Sequence, residues 1–132
     1  MAQALSTDNT YILQAMVSMA TADGDVHQSE AATISALYAQ VTGEEISTDE
    51  INSAPLSYRA QGLTFAGMLA QERQQLSLET KETILRSAYM VLLSDGQVSA
   101  RERKKLLDFV NALNISEIHR GVIFEDVERT YH

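Results

Sequence analysis

Five carboxylates stand in two stretches of the same form. Asp23-Gly24-Asp25-Val26 leads on to Glu30, and Asp95-Gly96-Gln97-Val98 leads on to Glu102. The two copies are offset by 72 residues, the distance from Asp23 to Asp95. Carboxylate oxygens suit hard divalent cations, and the spacing matches the second half of an EF-hand calcium loop. The first two ligand positions of such a loop, however, fall on Met19 and Thr21 in one copy and on Val91 and Leu93 in the other. Met, Val and Leu offer no oxygen, so a working EF-hand is not expected. If the copies pack about a pseudo-two-fold axis, Asp23, Asp25, Glu30, Asp95 and Glu102 converge, and each raises the others' pKa unless a divalent cation joins them. The motif also has a purely structural reading. Gly lets the chain turn out of a helix, Val returns a side chain to the core, the next residue caps a helix, and Glu bonds back to that cap. The residues leave both readings open.

Other reactive groups are sparse. His27, His119 and His132 are the only histidines, and none has zinc-site spacing. There is no nucleophile elbow, phosphate loop or dinucleotide fingerprint. The chain is therefore expected not to be an enzyme. Arg101, Lys104 and Lys105 share one helical face and suit an acidic protein partner, including the acidic half of a second copy in a homodimer.

The charge is uneven. Net charge is -8; residues 1–66 carry eight acids against the single base Arg59, and residues 67–132 carry ten acids against nine bases. That first half repels phosphate backbones, so nucleic acid is not an expected partner. With no cysteine, disulfides and thiolate metal sites are excluded. No segment approaches the ~20 apolar residues that span a bilayer. The N-terminal residues lack a basic region followed by an apolar run, and the expected location is cytoplasmic.

Positioning these groups falls to helices. Aromatics are only 6%, and one proline and six glycines are too few for an all-β chain, so the core is expected to be aliphatic helix on helix. The 132 residues suit one domain. Apolar spacing predicts about seven helices. The first runs from Ser6 or Thr7 to Asp23-Gly24, with Ile12, Met16 and Met19 on one face. The second runs from near His27 to Gly43. Ser47-Thr48-Asp49-Glu50 reads as a capping box, and one helix is expected from about Leu56 to Gln71. Ser77 opens a helix ending at Asp95-Gly96, and Ser99 to Glu102 is a second capping box. Asn114 ends that helix, and Ser116 caps the last, with Ile118, Val122 and Val127 expected inward. Apolar positions repeat at the same offset, Ile34 with Leu106, Leu37 with Phe109 and Val41 with Leu113. The repeat units are about residues 8–43 and 78–116.

With its two motif copies the chain resembles the TerB family of tellurite-resistance-like helical domains. Met19-Ala20-Thr21-Ala22-Asp23-Gly24-Asp25-Val26 is similar to the family's first hallmark. Ser94-Asp95-Gly96-Gln97-Val98-Ser99 with Glu102 is similar to the second, and Leu113-Asn114-Ile115-Ser116 to the pattern that follows. The resemblance covers roughly residues 10–130. His27, Ser94 and Gln97 depart from the usual residues. The resemblance implies an all-α fold with internal pseudo-symmetry. It also implies a non-catalytic role in tellurite resistance or chemical stress, through binding a metal or scaffolding other stress proteins.

Overall fold

The structure is a computed structural model, and it describes residues 7–20, 28–53, 57–94 and 100–130. These residues form α1 (Thr7–Ala20), α2 (Gln28–Thr42), α3 (Thr48–Asn52), α4 (Ser57–Ala60) and α5 (Phe65–Glu72). After a 3₁₀ turn at Arg73–Gln75 come α6 (Leu78–Ser94), α7 (Ala100–Leu113) and α8 (Glu117–Thr130). No strand occurs among the described residues. The fold is all-α, as expected.

Sequence explains several of the helix ends among the described residues. Ser47 accepts a hydrogen bond from the Glu50 amide at 3.1 Å, and Glu50 Oε1 in turn accepts from the Ser47 amide at 3.3 Å, which completes the capping box. Ser77 and Ser116 cap α6 and α8 through the amides of Thr80 and His119. Asn114, with φ +56°, closes α7 in the left-handed region that short polar side chains tolerate.

One expectation fails in the middle of the chain. The single helix foreseen from Leu56 to Gln71 is two short helices. Gly62 has φ +72°, a conformation that cannot continue a right-handed helix, and Thr64 then caps α5 by accepting from the Gly67 amide at 3.0 Å. The break raises the helix count from about seven to eight among the described residues.

Tyr11 to Met19 are buried without interruption, so α1 has no solvent face over that stretch. Its principal neighbour is α6, which also touches α2, α7 and α8. From α6, Ile84, Leu85, Ala88, Val91 and Leu92 enter the same core, joined by Ile34 and Tyr38 of α2 and Leu106, Phe109 and Leu113 of α7. Each fully buried Leu, Ile or Phe contributes about 1.5–3 kcal/mol. The 72-residue offset of the sequence motifs carries α1 onto α6 and α2 onto α7. Moved forward 72 residues, α1 falls on 79–92, inside α6, and α2 falls on 100–114, over α7.

The last helix corrects a second expectation. Ile118 is 84% exposed and Val122 62%, while Ile123 and Val127 are the buried pair. Residues 122 and 127 are five apart and cannot share one face at 3.6 residues per turn. α8 packs chiefly on α6, which covers only one stripe of it. Polar contacts line the joint. Arg86 pairs with Asp126, His119 with Glu82 at 2.6 Å, and the Tyr89 hydroxyl donates to Glu128 Oε1 at 2.5 Å. No helix among the described residues is long and apolar enough to cross a membrane.

Burial, with Glu128 beside it, pushes the Tyr89 hydroxyl up to about 12 from an ordinary 10. The folded state therefore holds this proton more tightly than the unfolded chain. Its stabilisation is complete below pH 10 and is lost as pH rises from 10 through about 12. Urea titrations of the parent and Tyr89→Phe should show a constant stability gap from pH 7 to 9 that shrinks by pH 11.5. A gap that does not change across that range would contradict the assignment.

Candidate functional site

The five motif carboxylates divide between described and undescribed segments. Asp23, Asp25 and Asp95, together with Val26, His27 and Val98, lie outside the described residues, as does His132. Glu30 and Glu102 are described, in the first turns of α2 and α7. There a carboxylate suits the positive end of the helix dipole. Among the described residues, no three His, Asp or Glu side chains are grouped closely enough to hold a metal ion.

The basic residues of α7 are brought together with others from far away in sequence. Arg101, Lys104 and Lys105 line one side of a recess of about 380 Å³. Across from them stand Tyr58 and Arg59 of α4, then Leu63 and Thr64 of the connection, then Phe65 and Ala66 at the start of α5. Arg59 is the single base of the first 66 residues. The break at Gly62 is what turns α4 and α5 so that this side chain faces α7. Among the described residues of the lining, Asp108 is the one acid. Arg103 points to the other flank of α7, into an apolar groove with Tyr89, Leu92, Leu107 and Phe124.

Beneath the recess the aromatic rings lock edge to face. Tyr58 and Phe65 have centroids 5.6 Å apart, and Phe65 and Phe109 have centroids 5.2 Å apart. Such pairs add about 0.5–1.5 kcal/mol beyond their burial. They fix α4, α5 and α7 relative to one another, and with them the cations.

Lys105 is different from its neighbours on α7. Its Nζ donates to the Ser18 carbonyl oxygen at 2.7 Å. The bond ties α7 to α1 across 87 positions of sequence. Burial lowers the Lys105 pKa; Glu102 opposes the shift, and Arg59 and Arg101 reinforce it. Two arginines are thus close enough to be felt at this amine. Tyr58 is shifted up by burial, with Arg59 acting against the shift.

An opposite charge gathers elsewhere. Glu44, Glu45, Asp49 and Glu50 are all exposed along the α2–α3 connection and α3. Burial raises the pKa of Tyr38 beside them, and Glu44 and Glu50 add to the effect. The cationic face of α7 was legible from the i, i+3, i+4 spacing. Arg59 was not, although its being the lone base in an acidic half was the available signal.

The tie from Lys105 to α1 should be visible in stability. Lys105→Met keeps most of the buried stem and removes a charge-assisted bond, at an expected cost of about 1–2 kcal/mol. Lys104→Met, at an exposed position, should stay within about 0.5 kcal/mol of the parent. Equal stability of the two variants in urea titrations would show that the tie contributes nothing.

In a comparison with known protein families, residues 9–122 fit the model described as tellurite resistance protein TerB. Comparisons with curated proteins and with solved structures give no match.

Proposed function

The chain belongs to the TerB family of tellurite-resistance proteins, and on that premise we propose that it is a non-catalytic, cytoplasmic domain of the response to tellurite or related chemical stress, working by contact with other proteins. The observation that carries this reading is the separation of charge. One edge presents Glu44, Glu45, Asp49 and Glu50. Another part of the surface gathers Arg59, Arg101, Lys104 and Lys105 around a recess. Fixed patches of opposite sign steer partners and set their orientation more than they add raw affinity. The contacts are with stress-response proteins of complementary charge or with a second copy of the chain.

A second reading adds a divalent cation held by Asp23, Asp25, Glu30, Asp95 and Glu102. It is favoured by the 72-residue offset of the two motifs, with Glu30 and Glu102 in the first turns of α2 and α7. On this reading, titration of metal-free protein with Ca²⁺ or Mn²⁺ shows saturable binding that the Asp23→Asn, Asp95→Asn variant lacks. No heat of binding at millimolar cation would remove it.

The contact reading is tested by tellurite challenge of a host lacking this chain, complemented with the parent or with charge-reversed variants. Arg101→Glu with Lys104→Glu, and separately Glu44→Lys with Glu45→Lys, should each lose most protection while keeping the parent's thermal unfolding curve within a few degrees. Full protection by both folded variants would take the charged surfaces out of the function. A deletion as resistant as its parent would remove the link to tellurite.

A further inference from the structure

We propose that the basic recess between the α4–α5 connection and α7 is a pocket for a small organic phosphate. Its phosphate sits among Arg59, Arg101 and Lys104, and its apolar body lies toward Leu63 and Ala66. This goes beyond the contact reading, because it places a ligand inside the recess whatever protein touches the rim.

Size comes first. A space of about 380 Å³ falls within the range of small-ligand pockets, roughly 300–1,000 Å³. Charge comes second. In a chain of net charge -8, four of the ten bases line this one recess, drawn from two segments far apart in sequence. Burial lowers the Lys105 pKa, Glu102 opposes the shift and Arg59 and Arg101 reinforce it, so both arginines lie near this amine.

The donors point to phosphate. Arg59 and Arg101 each present a planar fork, and Lys104 adds an ammonium group. Phe65 and Ala66 open α5 behind the Thr64 cap, so their amides are among those a helix leaves without an internal acceptor. A helix start of this kind favours anions. Donors arriving from α4, α5 and α7 exceed what the two oxygens of a planar carboxylate accept, and they suit the three oxygens of a phosphate ester. Leu63 and Ala66 are partly exposed above the Tyr58–Phe65–Phe109 stack and give a ring or alkyl group an apolar seat. A nucleic-acid backbone is a poor fit, because Asp108 sits at the recess and acids dominate the rest of the surface.

The test is calorimetric titration of the full chain with naphthyl phosphate, inorganic phosphate and naphthol. One naphthyl phosphate should bind per chain, about tenfold more tightly than inorganic phosphate, and more weakly as salt is added. Arg101→Ala with Lys104→Ala should weaken binding by about tenfold or more, since charge-assisted hydrogen bonds are the strong ones. Arg103→Ala, on the other flank of α7, should leave it within about twofold. Asp108→Asn should tighten it, because a like charge leaves the pocket. No saturable binding of naphthyl phosphate at millimolar concentration would overturn the proposal. So would equal loss in Arg103→Ala and the double variant, which would mean net charge alone, or naphthol bound as well as its phosphate. Because the titration uses purified protein, a failed tellurite challenge leaves its result intact, and the two readings fail separately.

Discussion

Nine consecutive residues, Tyr11 to Met19, are buried on α1, so this helix must be covered on every side. Only a second long apolar helix can cover most of it, and α6 does so with Ile84, Leu85, Ala88, Val91 and Leu92. The other elements follow from that pairing. α2 and α7 close the flanks through Ile34, Tyr38, Leu106 and Phe109, and α8 lies on the remaining side of α6. α1 also meets α7, where the Lys105 ammonium donates to the Ser18 carbonyl. One bond thereby connects the packing of the core to the placement of the charged face.

That face is where the structure works against its own composition. An acidic chain gains little from gathering arginines and lysines, and like charges at close range repel. The gathering follows from two local features acting together. Gly62 breaks the chain between α4 and α5, and the Tyr58–Phe65–Phe109 stack holds both short helices against α7. Neither feature concerns charge, yet together they set Arg59 opposite Arg101 and Lys104. The recess belongs to the fold, and its sign belongs to four side chains placed on it.

Much of this was legible in the residues. Ser47 with Glu50, Ser77, Asn114 and Ser116 announce their helix ends because capping is local chemistry, decided within three or four positions. The membership of residues 9–122 in the TerB family was legible in the doubled motif. The interruption at Gly62 was not, since a glycine within an apolar stretch fits either a helix interior or a left-handed turn, and tertiary packing decides. Ile118 and Val122 were misplaced because apolar type alone does not say which stripe of α8 the single neighbour α6 will cover. The meeting of Arg59 with α7 depends on contacts across tens of residues, which no local pattern carries. The acidic motif shows the converse: its types and spacing were the plainest signal in the chain, and only Glu30 and Glu102 of the five lie among the described residues.

The central claim is that the recess between α4, α5 and α7 is where this domain binds. The most direct measurement is the movement of backbone amide resonances as naphthyl phosphate is added to isotopically labelled protein. The largest shifts are expected on Arg59, Phe65, Ala66, Arg101 and Lys104, with α8 and the α2–α3 edge unmoved. Shifts centred on the Tyr89, Leu107 and Phe124 groove, or spread evenly over the surface, would contradict it.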